Sequence, residues 1–253
     1  MSPTAKPQSN YITTTYQQRT FCAAVTFAEG IESQNVVGYQ EISLQTGYNI
    51  FAPTFDGVNE TLDIQDIKLQ NSAGDGTDVI WVLDEGGIVT GETYYWLSKD
   101  FTGLESDCWS ADGATAMSLE ITSGQGFYVY TDASDASILV SGQVKIGEYS
   151  ESLQAGYNLT GNFSPVELSI QNVKLSGVPG DGTDVIWVLD AGGIVTGETY
   201  YWLSKDFTGL ESDCWSADGA TAMEKVLQPG EGLYLYTDST TATISLPAVI
   251  SAE

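Results

Sequence analysis

Carboxylates are the most frequent reactive groups in this chain, and some of them have a spacing that suits acid–base chemistry. Asp107 with Asp112, and Asp100 with Glu105, are pairs of the kind that hydrolyse glycosidic bonds, with one acid donating a proton and the other acting as base or nucleophile. Both pairs recur further along the chain in nearly identical surroundings. Because duplicating a whole acid–base site within so short a chain would be unusual, we expect that the protein is not an enzyme.

Histidine is absent from the sequence, which excludes His-based catalytic triads and His-ligated zinc. The motif Gly-Asp-Gly-Thr-Asp, which begins at Gly74 and again at Gly180, lacks the Lys of a phosphate loop and the distal Glu of an EF-hand. We interpret this motif as a turn, with a calcium site as the alternative and no other cofactor. The ligands in that alternative are the acids of the motif: Asp75, Asp78, Asp181 and Asp184.

Consecutive aromatic residues are the stronger functional signal. If Tyr94, Tyr95 and Trp96 lie on a strand, the first and third side chains face one way and Tyr95 faces the other. Either the Trp side packs in the core, or an exposed aromatic platform serves subunit contacts or sugar stacking. The aromatic residues of that platform are Tyr95, Trp96, Trp109, Tyr201, Trp202 and Trp215.

Three cysteines are too few for a disulfide framework. Cys108 and Cys214 occupy the same position in two copies of one sequence, next to a Trp in each case. They are interpreted as small buried apolar residues. The alternative is a disulfide between Cys22 and one of them, within or between chains.

A duplicated block shows how these residues are organised. The 44 residues 74–117 recur 106 positions later as 180–223, with Ala191 in place of Glu85 as the one difference. The flanking segments also correspond, because Gly47-Tyr48-Asn49 recurs as Gly156-Tyr157-Asn158. We therefore divide the chain into an N-terminal arm (1–35), repeat 1 (36–142) and repeat 2 (143–253). The near identity of the blocks fits either a recent recopying or a surface that both repeats must keep.

The charge of the chain limits its partners. The sequence has 34 acidic and 8 basic side chains, which gives a formal net charge of −26. A field of this sign repels phosphate backbones and anionic lipids, so we expect no nucleic-acid partner. No stretch approaches the roughly 18 apolar residues that a membrane-spanning helix needs, so we expect no membrane insertion.

Strand-forming segments dominate both repeats. β-Branched and aromatic runs at 79–83, 93–97, 127–130 and 138–140 are bounded by Gly and Asp. Residues 84–87 (Asp-Glu-Gly-Gly) are typical of a hairpin turn. No segment shows a sustained helical period, so helix is expected to be minor. The pattern predicts an all-β protein with two tandem antiparallel β-sandwich or barrel-like domains.

The N-terminal arm has two strand-like segments, 11–16 and 20–27, without a counterpart in the repeats. A strand without a partner leaves backbone groups unsatisfied. The arm either pairs with the edge of its own first repeat or adds to the edge of a neighbouring molecule. The residues assigned to this assembly role are Tyr11, Ile12, Tyr16, Phe21, Cys22, Val25 and Phe27.

Three motifs, taken together, resemble a β-rich module found in bacterial secreted and cell-surface proteins. The module has a Gly-Tyr/Trp-Asn opening, a middle strand ending in Asp, and a Gly-rich closing strand that is aromatic. The corresponding segments are 47–50, 80–84 and 124–130 in repeat 1 and 156–159, 186–190 and 229–236 in repeat 2. The resemblance implies a fold and an exported location, extracellular or on the cell surface, and it implies no catalytic residues.

Duplicated surfaces, a strand-like arm and the lack of catalytic residues favour a structural protein. The first hypothesis is a homopolymer, an extracellular filament or surface layer linked through the arm. The alternative is a bivalent adhesin or carbohydrate-binding module in which both repeats present aromatic residues to glycans and gain avidity.

Overall fold

The computed structural model describes residues 37–57, 61–83, 92–122, 124–145, 147–188 and 198–249. The N-terminal arm, and every expectation about Tyr11 to Phe27, lies outside the described residues, as does the turn expected at 84–87. Within the described ranges about half of the residues lie in β-strands, all of them paired antiparallel, and helix is minor, which confirms the all-β prediction. The helices among the described residues are two single turns, α1 (Lys99–Thr102) and α2 (Lys205–Thr208), and two 3₁₀ turns, Ile64–Asp66 and Ile170–Asn172.

The strands of repeat 1 form three antiparallel sheets. They are β1 (Val37–Ser43), β2 (Gly47–Phe51), β3 (Leu62–Asp63), β4 (Ile67–Gln70), β5 (Asp75–Trp81), β6 (Thr93–Leu97), β7 (Cys108–Ser110), β8 (Glu120–Ile121), β9 (Phe127–Thr131) and β10 (Ser137–Gln143). The largest sheet has the order β2-β9-β5-β6-β7, the second has the order β1-β10-β4, and β3 pairs with β8.

Repeat 2 has the same sheets in the same order. Its strands are β11 (Tyr149–Ser152), β12 (Gly156–Gly161), β13 (Leu168–Ser169), β14 (Lys174–Ser176), β15 (Asp181–Trp187), β16 (Thr199–Leu203), β17 (Cys214–Ser216), β18 (Val226–Leu227), β19 (Gly232–Thr237) and β20 (Thr243–Leu246). The sheet orders are β12-β19-β15-β16-β17, β11-β20-β14 and β13-β18. The repeat found in the sequence is therefore a repeat of topology.

One local prediction is wrong. The Gly-Asp-Gly-Thr-Asp motif, interpreted as a turn, belongs to strands β5 and β15. The strand can include it because the register with β6 shifts between Asp75 and Val79, which is a β-bulge, and Gly76 takes a φ of +89° there. Glycine reaches this conformation without the steric cost that a Cβ imposes.

The buried apolar residues form two separate cores, one in each repeat. Trp96 and Trp109 lie in the first core with ring centroids 5.0 Å apart, and Trp202 and Trp215 lie in the second at 5.1 Å. These four side chains are at most 3% exposed. Core packing, the arrangement expected for the Trp side, is what the structure shows, and these four tryptophans do not form the exposed platform that was the other possibility.

A glutamine explains why Trp109 can be buried. The indole Nε1 of Trp109 donates to the Ile67 carbonyl at 2.7 Å, so the polar atom of the ring is satisfied inside the core. Gln65 accepts from the Trp109 amide at 3.1 Å and donates from Nε2 to the carbonyls of Trp109 and Met117 at 2.7 and 2.6 Å. Gln171 makes the same three hydrogen bonds in repeat 2. No helix in the described ranges is long and apolar enough to cross a membrane.

Candidate ligand-binding surface

The face of each five-stranded sheet that points away from the core is rich in aromatic side chains. In repeat 1 the strand register places Tyr48, Tyr130, Val79 and Tyr95 side by side across four strands. Side chains two residues along a strand share its face, so Tyr128 and Trp81, which are paired with each other, belong to the same surface. We call this surface the outer aromatic face. Its residues are Tyr48, Trp81, Tyr95, Tyr128 and Tyr130 in repeat 1 and Tyr157, Trp187, Tyr201, Tyr234 and Tyr236 in repeat 2.

The period of two along each strand separates this face from the core. Val129, Ile80 and Tyr94 are neighbours across three strands and are at most 2% exposed. Tyr95, the next residue after Tyr94, is 37% exposed, and so is its equivalent Tyr201. The opposite orientations predicted for Tyr94 and Tyr95 are therefore what the structure shows.

Three rings pack together on the outer aromatic face of repeat 1. The ring centroid of Tyr48 lies 5.8 Å from that of Trp81 in a stacked arrangement and 5.2 Å from that of Tyr130 in an edge arrangement. The centroids of Trp81 and Tyr130 are 6.4 Å apart. Pairs at these separations gain about 0.5–1.5 kcal/mol beyond simple burial. The rings therefore hold one another in place while Tyr48 stays 38% exposed.

Repeat 2 reproduces this cluster and extends it. The centroids of Tyr157 and Trp187 are 6.0 Å apart and those of Tyr157 and Tyr236 are 5.1 Å apart. In addition, Tyr234 stacks on Tyr157 at 5.1 Å with an interplanar angle of 11°. No corresponding contact between Tyr128 and Tyr48 occurs in the described part of repeat 1, so the two halves of the surface are similar but not identical.

The two outer aromatic faces meet where the repeats contact each other. The Tyr128 and Tyr234 centroids are 6.4 Å apart. Burial raises the pKa of Tyr128 to about 12, with a smaller contribution from Tyr234. Both hydroxyls therefore stay protonated at neutral pH, where they can donate and accept hydrogen bonds.

Backbone contacts hold the repeats together at this junction. The Gly126 amide donates to the Leu159 carbonyl at 2.8 Å, and the Ala52 amide donates to the Gly230 carbonyl at 3.1 Å. Any residue other than glycine at position 126 would crowd this contact, because its Cβ would lie 2.9 Å from the backbone of Leu159. The aromatic surface is therefore built on both repeats in a defined relation.

Comparisons with known proteins give no identity for the chain: no protein-family model, no curated protein and no solved structure matches it. The resemblance to a module of bacterial secreted proteins stays a prediction. Function must be argued from the surface itself.

Most residues of the outer aromatic face were missed by the sequence prediction, which named Tyr95 and Tyr201 alone from this surface. The signal was nevertheless present. Tyr128 and Tyr130 alternate with apolar residues in a strand-like run, and the period of two places both on the side opposite to Val129. What the sequence did not show was which side of the strand would be covered.

The acids proposed as calcium ligands in repeat 1 lie in different environments. Asp75 is exposed, and its Oδ1 accepts hydrogen bonds from the amide and hydroxyl of Thr77. Asp78 is fully buried and accepts a hydrogen bond from Ser72. Among the described residues no group of three or more acids, His or Cys has the arrangement that holds a metal. Calcium binding by Asp75, Asp78, Asp181 and Asp184 stays a prediction.

Both members of one carboxylate pair that suggested hydrolysis, Asp107 and Asp112, hold local backbone structure. Asp107 accepts from the Lys99 amide at 2.8 Å, which places it at the start of α1. Asp112 accepts from the amides of Ala114 and Thr115 at 2.9 and 2.8 Å. These backbone hydrogen bonds, with those of Thr115 and Ser110 side chains, hold the pKa of Asp112 well below its usual range. Asp112 therefore stays ionised and is a poor proton donor at neutral pH.

The two cysteines within the repeats are buried free thiols. Cys108 and Cys214 are each 2% exposed, as expected for small apolar residues beside the tryptophans. Burial raises the pKa of both thiols. Within the described residues neither is bonded to another cysteine, and the alternative of a disulfide to Cys22 stays a prediction. Cys22 itself lies outside the described residues.

Proposed function

We propose that this protein is a non-catalytic carbohydrate-binding protein, extracellular or on the cell surface, and that its outer aromatic face holds the glycan. The observation that carries this proposal is the contact of Tyr128 with Tyr234, which joins the aromatic faces of both repeats. The resemblance to secreted modules supports the location. The expectation that the protein is not an enzyme belongs to the same proposal.

Tyrosine suits a sugar ligand better than a purely apolar one. The C–H face of a sugar ring packs against an aromatic ring, while the phenolic hydroxyl exchanges hydrogen bonds with sugar hydroxyls. Of the ten residues of the outer aromatic face, eight are tyrosines, and Tyr48, Tyr95 and Tyr201 are the most exposed. The net charge of −26 favours neutral or cationic glycans over acidic ones.

We also propose that each repeat is a β-sandwich or barrel-like domain, with boundaries at 36–142 and 143–253. The separate cores of the two repeats support this division. The bivalency predicted from the duplicated block then takes a specific form. Each domain contributes half of one surface, so a long glycan gains avidity by contacting both halves.

The test is retention of the protein on insoluble cellulose, chitin and xylan. The variant Tyr95→Ala/Tyr201→Ala removes one exposed ring from each half of the outer aromatic face. The matched control is Phe101→Ala/Phe207→Ala, which removes rings that are 62% and 61% exposed and that belong to α1 and α2, not to the strands of the outer aromatic face. We expect wild type and control to be retained on at least one polysaccharide and the tyrosine variant to be retained at least about tenfold less. Equal retention of all three proteins, or retention of none, contradicts the proposal.

A filament or surface-layer subunit is the second candidate, and the position of β1 favours it. β1 pairs with β10 on one side, and no strand among the described residues pairs with its other edge. The N-terminal arm directly precedes β1 in sequence and is rich in strand-forming residues. An added strand from a neighbouring molecule would complete such an edge and link subunits into a homopolymer.

Deletion of residues 1–30 tests this candidate by electron microscopy of the purified protein. Polymers that form from the full chain and disappear after the deletion support a linking arm. Polymers that persist after the deletion contradict it, and so does a full chain that stays monomeric at high concentration.

A further inference from the structure

A cleft of about 200 Å³ lies between the two repeats, next to the outer aromatic face. Repeat 1 contributes the turn around Gly124 and Gly126, and repeat 2 contributes the segment from Glu151 to Thr160. Tyr157 belongs both to this lining and to the outer aromatic face. The cleft is therefore continuous with that face and has about the size of a single sugar ring.

The cleft has a charged residue at a position where the other repeat has an apolar one. Glu151 packs against Gly124, since a Cβ on that glycine would lie 3.1 Å from Glu151 Cβ. The equivalent pair in the other half is Ile42 and Gly230, and a Cβ on Gly230 would lie 2.3 Å from Ile42 Cδ1. Ile42 is 7% exposed and belongs to the first core. One side of the junction is thus closed by an aliphatic side chain, whereas the other has a carboxylate.

Two side chains of the cleft have acceptor oxygens without a partner within the described ranges, the Glu151 carboxylate and the buried Thr160 hydroxyl. Gln154 already donates to the Tyr157 carbonyl at 3.0 Å, and Asn158 donates to the Gln154 carbonyl at 2.9 Å. Within the described ranges the Glu151 side chain makes no hydrogen bond or ion pair, although it is partly buried. Burial raises its pKa, and the charge of Lys145 opposes this effect only in part. A partly buried carboxylate without donors is costly, so a ligand that supplies donors is favoured.

We infer that this cleft is a subsite for one sugar ring of the glycan, in which the Glu151 carboxylate accepts hydrogen bonds from the ring's hydroxyl or ammonium donors and Tyr157 supplies the adjoining stacking surface. The inference rests on the proposed function and gives the bound glycan a direction along the surface. A glycan would insert one ring on the Glu151 side and run across the aromatic rings, whereas Ile42 excludes the same binding mode on the other side.

Isothermal titration of the full chain with three tetrasaccharides tests the inference: cellotetraose, the tetramer of glucosamine, and the tetramer of N-acetylglucosamine. Glu151→Gln keeps the side-chain size and removes the charge. Glu151→Ile copies the residue of the other half and fills the cleft. Because Glu151 is not in either apolar core, we expect both variants to fold, which thermal unfolding checks.

The expected result is that wild type binds at least one tetramer and that both Glu151 variants bind it at least about tenfold more weakly, as for a lost hydrogen bond to a charged group. Binding of the glucosamine tetramer alone, weakened by salt, identifies an ammonium as the donor, and equal binding of cellotetraose identifies hydroxyls. Unchanged binding in Glu151→Gln overturns the inference. The polysaccharide retention test can succeed while the subsite fails. If retention needs Tyr95 and Tyr201 but tetramer binding is absent or does not depend on Glu151, the subsite is overturned and the proposed function stays in place. Failure of wild type to bind polysaccharides and tetramers overturns both.

Discussion

Tyr128 contacts Tyr234, its own equivalent in the other repeat, with 6.4 Å between the ring centroids. A residue meets its equivalent in this way when the two units are related by a two-fold axis. The glycine contacts agree: Gly126 approaches Leu159, and the equivalent Gly232 approaches Ile50. The two repeats therefore form a closed pseudo-symmetric pair within one chain. This interface is already complete, so any homopolymer would have to use other surfaces.

Gly126→Ala is expected to weaken the pair. A Cβ at this position would lie 2.9 Å from backbone atoms of Leu159 and Thr160, and the backbone cannot move aside as a side chain can. We expect a loss of about 1–3 kcal/mol in the free energy of unfolding, as for other overpacked sites. Urea unfolding measures the loss. The control Ala155→Ser adds one atom at an exposed position, and an equal effect of both substitutions would contradict the interpretation.

A buried carboxylate has a hydrogen-bond donor in repeat 1 and none in repeat 2. Ser72 donates to Asp78, but the equivalent of Ser72 is Val178, and neither oxygen of fully buried Asp184 has a hydrogen-bond partner within the described ranges. We expect Val178→Thr, which keeps the side-chain shape and adds a hydroxyl, to stabilise the chain by about 1 kcal/mol. Ser72→Val should destabilise it by about 1–3 kcal/mol. Thermal unfolding of both variants checks the signs, and two changes of the same sign would refute this explanation.

The pH dependence of stability should report Asp184. Burial raises its pKa, and the charges of Asp238 and Asp181 act in the same direction, while the nearby Thr237 hydroxyl, which is not in hydrogen-bonding geometry with the carboxylate, opposes them. Because the folded pKa lies above the unfolded value of about 3.9, the native state binds the proton more tightly. The resulting stabilisation is complete below the unfolded pKa and is lost as the pH rises through the folded one. Asp184→Asn should flatten the stability profile above about pH 4, measured by urea unfolding, whereas an unchanged profile would contradict the prediction.

Gln65 and Gln171 are expected to contribute equally to stability. Each joins a buried Trp backbone to the loop at Met117 or Met223 through three hydrogen bonds. Replacing either glutamine with Ala leaves buried backbone groups without partners, and we expect a loss of about 1–3 kcal/mol. Tryptophan fluorescence during urea unfolding measures the loss. If only one of the two variants lost stability, the equivalent hydrogen bonds would not contribute equally to the free energy of unfolding.

The thiols of Cys108 and Cys214 should be unreactive in the folded chain. Both are buried, and burial raises the pKa of each, so little nucleophilic thiolate is present. In a Cys22→Ser variant, we expect no rapid reaction with a thiol reagent under native conditions and two reactive thiols after unfolding. Rapid native labelling would contradict the buried position of these residues.

Strand-forming patterns in the sequence predict the positions of several strands. The run at 93–97 matches β6, and the run at 127–130 matches β9 apart from one residue, because β-branched and aromatic residues between turn residues have few other low-energy conformations. The Gly-Asp-Gly-Thr-Asp motif was misinterpreted for a related reason. Its composition is that of a turn, yet a β-bulge lets the strand include it, and a bulge depends on the partner strand.

The sequence by itself determined the repeat, the all-β class and the opposite orientations of Tyr94 and Tyr95, since these follow from identity, composition and the period of two along a strand. The tertiary structure decided which side of each strand is covered, and so placed Trp96 and Trp109 in the core and Tyr48 and Trp81 on the outer aromatic face. It also brought Glu151 into a cleft with residues of the other repeat. Burial and contact between distant segments depend on how sheets pack, and local sequence periodicity does not encode that packing.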